Sequence, residues 1–365
     1  MVDRSSISGS GPLAPAPTSS AGVVDRFDRP LRDLRVSVTD RCNFRCVYCM
    51  PKEVFDKNYT FLPKAQLLSY EEILKVVQAA ASLGVQKIRL TGGEPLVRRD
   101  LEVLVSGIRK IEGITDLSMT TNASLLSAAR AASLRNAGLQ RITVSLDAMD
   151  DETFKRVNDV GVPVKKVLDG IDAAAAAGFE SVKVNMVVKK GLNEHSVLPM
   201  ARFFHGTGQI LRFIEFMDVG NSNAWDLEHV TSSAEIAAMI NAEMPIQPAR
   251  ANYRGEVAKR WEYLDGGGEI GIISSVSDPF CGDCSRARLS ATGSIYTCLF
   301  ASHGHDMRAV LRPATGDAAL ADVINHLSHL WSRRADRYSE TRSASLGQGQ
   351  PVTFRPKVEM SFIGG

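Results

Sequence analysis

The chain has 365 residues, 44% of them hydrophobic, enough for one large domain or a large domain with a smaller companion. Its 43 basic and 41 acidic residues nearly balance, which disfavours a general nucleic-acid binder. No apolar run reaches membrane-spanning length and the N-terminus lacks the apolar core of a secretory signal, so neither a membrane nor a nucleic acid is expected as partner and the predicted location is cytoplasmic.

Residues 1–28 are rich in Ser, Gly, Pro and Ala without periodicity and are expected to form a disordered tail. From Leu34 onward, β-rich runs at 34–39, 87–91, 117–122, 141–147, 181–188 and 210–217 alternate with helical stretches near 70–83, 98–112, 125–137, 164–177 and 195–206. Gly84, Gly138 and Gly178 each follow a helical stretch, where a C-terminal cap needs positive φ. Strand–helix alternation predicts an α/β fold with a parallel sheet and helices outside it. Six units are too few for a closed eight-stranded barrel and suit a curved, partly open one. Ligands then gather at the C-terminal strand ends, where Thr91-Gly92-Gly93-Glu94, Ser145 and Met217 fall.

The first run leads directly into 42-CNFRCVYC-49, a C-x3-C-x2-C group. Three thiolates favour an iron–sulfur cluster or zinc. A four-iron cluster held by Cys42, Cys46 and Cys49 keeps one iron free of protein, whereas structural zinc needs a distant fourth ligand. The turn 91-TGGEP-95 permits close backbone approach to a ligand, although Gly-Gly alone is commonly just a tight turn. Arg35, Arg89 and Lys183 lie in otherwise apolar strands; a buried cation needs an anionic partner, and Glu94, Asp147 or Glu215 could serve.

After residue 245 the alternation weakens, predicting a partial barrel at 29–245, a smaller cysteine-bearing layer at 246–337 and a tail at 338–365. The second group is C-x2-C-x13-C, with Cys281, Cys284 and Cys298; His303 or His305 could complete a zinc site. Arg286 and Arg288 share one face of an extended segment, as bidentate phosphate recognition requires, though two solvated arginines would look the same. A metal with an open position beside such arginines suggests a nucleotide anchored at both ends. A last helix is predicted over 318–334. The other histidines share no spacing.

C-x3-C-x-aromatic-C resembles the motif of the radical S-adenosylmethionine superfamily, whose fold is an incomplete (βα)6 TIM-like barrel. Together with 35-RVSVTDRCNFRCVYC-49, 89-RLTGGEP-95, 143-TVSLDA-148, 213-FIEFMDVG-220, 281-CGDCSRARLSATG-293 and the terminal 360-MSFIGG-365, the second group resembles the GTP 3′,8-cyclase family of molybdenum cofactor biosynthesis from about Leu31 to the end. Ala123 departs from the family's usual Gly after Thr-Thr-Asn.

The resemblance implies two [4Fe-4S] clusters, the second carried by the C-terminal extension. It implies S-adenosylmethionine contacts at Tyr48, Gly93, Glu94, Ser145 and Met217. GTP contacts are implied at Arg35, Arg89, Thr120, Lys183, Arg286, Ala287 and Arg288, with catalytic roles for Arg286, Arg288, Gly364 and Gly365. Implied partners are GTP, an electron donor such as flavodoxin or ferredoxin, and cyclic pyranopterin monophosphate synthase as the next enzyme; a monomer or homodimer is implied. A peptide-modifying radical enzyme and a zinc-stabilised binding protein are the competing readings.

Overall fold

Every parallel strand of the core ends at the same mouth. The computed structural model describes residues 22–314, 316–348 and 355–364. The six expected strands are β1 (Asp33–Ser37), β2 (Lys87–Thr91), β3 (Asp116–Thr121), β4 (Arg141–Ser145), β5 (Val182–Val188) and β6 (Ile210–Glu215), each parallel to the next. The intervening helices are α1 (Tyr70–Ser82), α2 (Leu101–Arg109), α3 (Ala128–Asn136), α4 (Asp151–Asn158), α5 (Val164–Ala176) and α6 (Val197–Phe204). Alternation in β1 sends Leu34 and Val36 into the hydrophobic core and Arg35 to the opposite face.

Helix ends follow local chemistry. Ser69 and Glu72 form a reciprocal capping box on α1, a device of about 1 kcal/mol. Gly84 ends that helix at φ 103°, where a side chain would be strained. The short α4 was not foreseen: its eight polar-rich residues carry only Phe154 and Val157 as large core contacts, and Asp150 caps it through the Thr153 amide at 2.7 Å.

The C-terminal region departs from expectation. It is no separate layer but extends the same sheet at both edges. α7 (Ser233–Glu243) leads to β7 (Ile246–Pro248), β8 (Lys259–Tyr263) and β9 (Glu269–Ile273); β10 (Arg286–Leu289), β11 (Ser294–Tyr296) and β12 (His305–Asp306) follow. The sheet order is β12-β11-β10-β1-β2-β3-β4-β5-β6-β9-β8-β7. β10 is parallel to β1 and β9 to β6, so the parallel array is wider than six strands. Among the described strands no ladder joins β12 to β7, and the barrel stays open.

The short α8 (Arg308–Leu311) precedes α9 (Leu320–Ser332), the predicted last helix, which packs on α1. Two further helices, α10 (Tyr338–Gly347) and α11 (Met360–Ile363), occupy the segment expected to be loop. Buried Arg342 of α10 explains its order, since it pairs with Asp218 and donates to the Ser275 carbonyl. The expected N-terminal tail also needs correction: residues 1–21 lie outside the described residues, but Asp25 and Arg29 are buried and paired at 2.6 Å.

Candidate active site

One cavity of about 330 Å³ runs along the inner face of the sheet, from first strand residues such as Asp33, Lys87 and Arg141 to the Gly92–Glu94 turn at the carboxyl ends, and all six cysteines line it. The first triad sits on the loop that leaves β1. Asn122 reaches the Cys42 sulfur at 4.0 Å, and Tyr48 donates to Asp147 at 2.8 Å. Burial pushes the Cys42 thiol up to about 12, with nearby Glu94 adding to the shift. Cys46 and Cys49 are likewise raised, first by burial and then by neighbouring negative charge. Burial and anionic neighbours oppose thiolates here, with Arg45 countering them only in part at Cys42, and an iron–sulfur cluster would supply the positive charge that stabilises them.

The glycine turn braces that loop. Gly93 N–H donates to Thr39 O at 2.8 Å and Glu94 N–H to Arg41 O at 2.8 Å. A Cβ on Gly93 would stand 2.3 Å from the Arg41 carbonyl oxygen, so backbone must shift before Ala fits. Gly93→Ala is therefore expected to displace Cys42. Strain of roughly 1–3 kcal/mol makes an about tenfold or larger loss of S-adenosylmethionine cleavage, read with iron content after anaerobic reconstitution.

The carboxylates foreseen as counter-ions serve other groups. Glu94 accepts from Thr121 at 2.6 Å, the Asn122 amide at 2.7 Å and the Leu96 amide at 3.0 Å, and burial still raises it to about 7. Asp147 takes Tyr48 and the Val187 amide at 2.9 Å, with burial raising it to about 6. Glu215 takes the amides of Ser233, Val276 and Ser277.

The cations are therefore left facing the cavity. Strand register sets Arg288, Arg35 and Arg89 directly opposite one another on β10, β1 and β2. Like charges in that arrangement repel. Arg35 is held well below its usual range by burial and then by Arg288 and Arg89. The Nε atoms of Arg35, Arg212 and Arg288 are buried without a hydrogen-bond partner. Burial, then Arg212 and Arg141, brings Lys183 down to about 8. Such a set is incomplete without an anionic ligand.

The second triad stands beside these arginines. Cys281 begins a short turn, Cys284 stands two residues before the start of β10 and Cys298 follows β11. Burial alone would raise Cys284, but Arg286 and Arg334 bring it down to about 6; Arg286 donates to its sulfur at 3.3 Å. Cys298 is pushed up to about 12 by burial and then Asp336. Neither His303 nor His305 lines the cavity. Among the described residues no three His, Cys, Asp or Glu converge as a single ion would need. A cubane engages each thiolate through a different iron, and both triads suit it.

Tyr48, Gly93, Glu94, Ser145 and Met217 all line the cavity, as do Arg35, Arg89, Thr120, Lys183, Arg286 and Arg288. Ala287 does not: between two inward arginines, its side chain enters the hydrophobic core. Gly364 packs on Thr91, which lines the cavity, and at φ 74° its added Cβ would meet Thr91 Cγ2 at 2.4 Å. Gly365 lies outside the described residues. Arg212 and Asn185 were missed. Arg212 carried the same signal as Arg35, a cation amid the apolar residues of 210-ILRFIEFM-217.

The fold and the first triad define a radical S-adenosylmethionine protein: residues 36–204 match the Radical SAM superfamily, and residues 209–340 match Molybdenum Cofactor Synthesis C. A crystal structure of Streptococcus suis SuiB bound to S-adenosylmethionine shares the fold at TM-score 0.56 and 14% identity, covering 86% of this chain and 68% of that one. Within that class the chain belongs to the GTP 3′,8-cyclase family. It is 50% identical over 359 residues to the GTP 3′,8-cyclase of Acidothermus cellulolyticus, covering 94% of this chain and 99% of that protein. The Xanthomonas axonopodis pv. citri GTP 3′,8-cyclase is 51% identical, covering 95% and 100%. That of Staphylococcus aureus strain JH9 is 46% identical over 94% and 99%.

Proposed function

We propose that the chain converts GTP to (8S)-3′,8-cyclo-7,8-dihydroguanosine 5′-triphosphate while S-adenosylmethionine is cleaved to 5′-deoxyadenosine and methionine, the first step of molybdenum cofactor biosynthesis. The carrying observation is one cavity bounded by two cysteine triads and a row of arginines set side by side. Cys42, Cys46 and Cys49 would hold the first cluster, and Cys281, Cys284 and Cys298 the second. When bound, the first supplies reductive cleavage of S-adenosylmethionine and the second a binding position for the guanine base.

The chain's own residues position and enclose. Arg35, Arg89, Lys183, Arg212 and Arg288 bind the triphosphate, whose charge adds to the partial compensation from neighbours such as Asp33. Thr120, reached by Arg89 at 3.4 Å, extends that polar wall. Tyr48, Gly93, Glu94, Ser145 and Met217 place S-adenosylmethionine beside the first triad. Gly364, packed on Thr91, helps to enclose the cavity and keep out water. A low-potential one-electron donor such as flavodoxin or ferredoxin feeds the first cluster, and cyclic pyranopterin monophosphate synthase consumes the product.

Anaerobic turnover with GTP deuterated at C3′ is expected to give deuterated 5′-deoxyadenosine in step with product. Deuterium retained entirely in the nucleotide would overturn the assignment. Binding should also depend on Lys183. Its value is about 8 in the free protein, and a bound phosphate raises it. The contribution is complete below pH 8 and is lost as pH rises through the raised, ligand-bound value. Calorimetry in buffers of different ionisation enthalpy is expected to show proton uptake on GTP binding near pH 8, absent in Lys183→Met.

A further inference from the structure

The second cysteine loop is held by a strap formed from the N-terminal segment and the end of α9. Asp25 accepts from the Phe27 amide at 2.9 Å, the Arg29 amide at 3.0 Å and Arg29 Nε at 2.6 Å, folding residues 25–29 into a tight loop with Asp25 and Arg29 buried and Phe27 exposed. Arg29 then extends outward: its Nη1 donates to Cys281 O at 2.8 Å and Asp336 O at 3.0 Å. Arg334, at the end of α9, donates to Cys284 O at 2.6 Å and is neutralised by Asp336 at 3.0 Å. Trp331 Nε1 donates to Arg29 O at 2.9 Å, closing the strap onto α9.

The amides of Arg32 and Asp33 both donate to Ser285 O at 3.1 Å, and the Gly282 amide donates to Glu340 at 2.9 Å. The backbone of the 281–285 turn is thus gripped by the strap, while Cys281 and Cys284 line the cavity. A buried ionic cluster of this kind contributes little stability over apolar packing. What it supplies is fixed direction.

We propose that Arg29 and Arg334 are positioning residues for the second cluster, acting through the carbonyls of Cys281 and Cys284. The proposal rests on the reading that the second triad holds a cluster. Outer-shell partners of metal ligands typically govern about 10–100-fold in metal affinity.

The test follows iron release to a chelator from anaerobic full-length holoenzyme, with each cluster resolved by electron paramagnetic resonance. Arg29→Ala is expected to release second-cluster iron about 10–100-fold faster, with the first cluster unchanged. Arg29→Lys restores part of the retention, since it keeps the charge but loses the two-carbonyl fork. Glu340→Ala, at a partly exposed partner, accelerates the same cluster by a smaller factor, and it decides alone if Arg29→Ala does not fold. Unchanged release from the second cluster, or equal acceleration at both, overturns the clamp. A wild-type chain with iron at the first triad alone overturns the two-cluster reading and the clamp together.

Discussion

Cys46→Ser is expected to abolish S-adenosylmethionine cleavage, whereas Cys284→Ser is expected to preserve cleavage and lose the GTP product. Each variant removes one thiolate of a triad that lines the same cavity. Each should lose about four irons of the roughly eight bound by two cubane clusters. The functional losses differ because the triads have different neighbours. Cys46 lies with Tyr48, Asp147 and Glu94 around the glycine turn. Cys284 lies against Arg286 and Arg334 and leads into β10, whose Arg288 joins the cationic row. Disturbing the first group removes radical generation. Disturbing the second leaves cleavage without a correctly held nucleotide, so 5′-deoxyadenosine accumulates without matching product. Simultaneous chromatography of 5′-deoxyadenosine and the nucleotide checks this. Coupled loss of both compounds in Cys284→Ser would count against separate roles for the triads.

What the sequence made legible was local. β-rich runs alternating with helical stretches located β1 to β6, and the cysteine spacings located both triads. Sheet order was not local. β9 and β10 are separated by little sequence, yet they join opposite edges of the six-strand array, and no periodicity encodes that. Residues 22–28 read as tail because Asp25 and Arg29 look like ordinary surface charges. Their burial depends on Arg334, about three hundred positions away, and on Trp331. α10 was hidden for a similar reason: Arg342 becomes a core residue only once Asp218 stands opposite it. Ala287 shows the reverse case, a residue of the motif whose side chain faces away from the cavity. A motif assigned the whole Arg-Ala-Arg run to substrate, but strand geometry turns alternate side chains away.

Arg35→Met is expected to make the ligand-free protein more stable and the enzyme nearly inactive. In β1, Arg35 is flanked in register by Arg89 on one side and Arg288 on the other. Its Nε has no hydrogen-bond partner, and burial with the adjacent guanidiniums opposes its charge. Asp33, the nearest compensating charge, leaves Oδ1 unpartnered as well and does not relieve the row. An unbranched apolar side chain of similar length removes the repulsion while staying on the cavity face of β1, opposite Leu34 and Val36. Relief of a buried, poorly compensated charge is worth about 1–3 kcal/mol, raising Tm by roughly 2–5 °C. GTP binding moves the other way. Truncating one partner of a buried charge pair costs about 2–5 kcal/mol, or roughly 30-fold to several thousand-fold in Kd. Differential scanning calorimetry without ligand and equilibrium binding of GTP measure the two signs independently. A lower Tm with unaltered GTP affinity would make Arg35 a structural cation. The opposite signs expected here mean that this row of strands is held in a conflict that the triphosphate resolves: the fold gives up stability in the empty state to have its cations already placed when the substrate arrives.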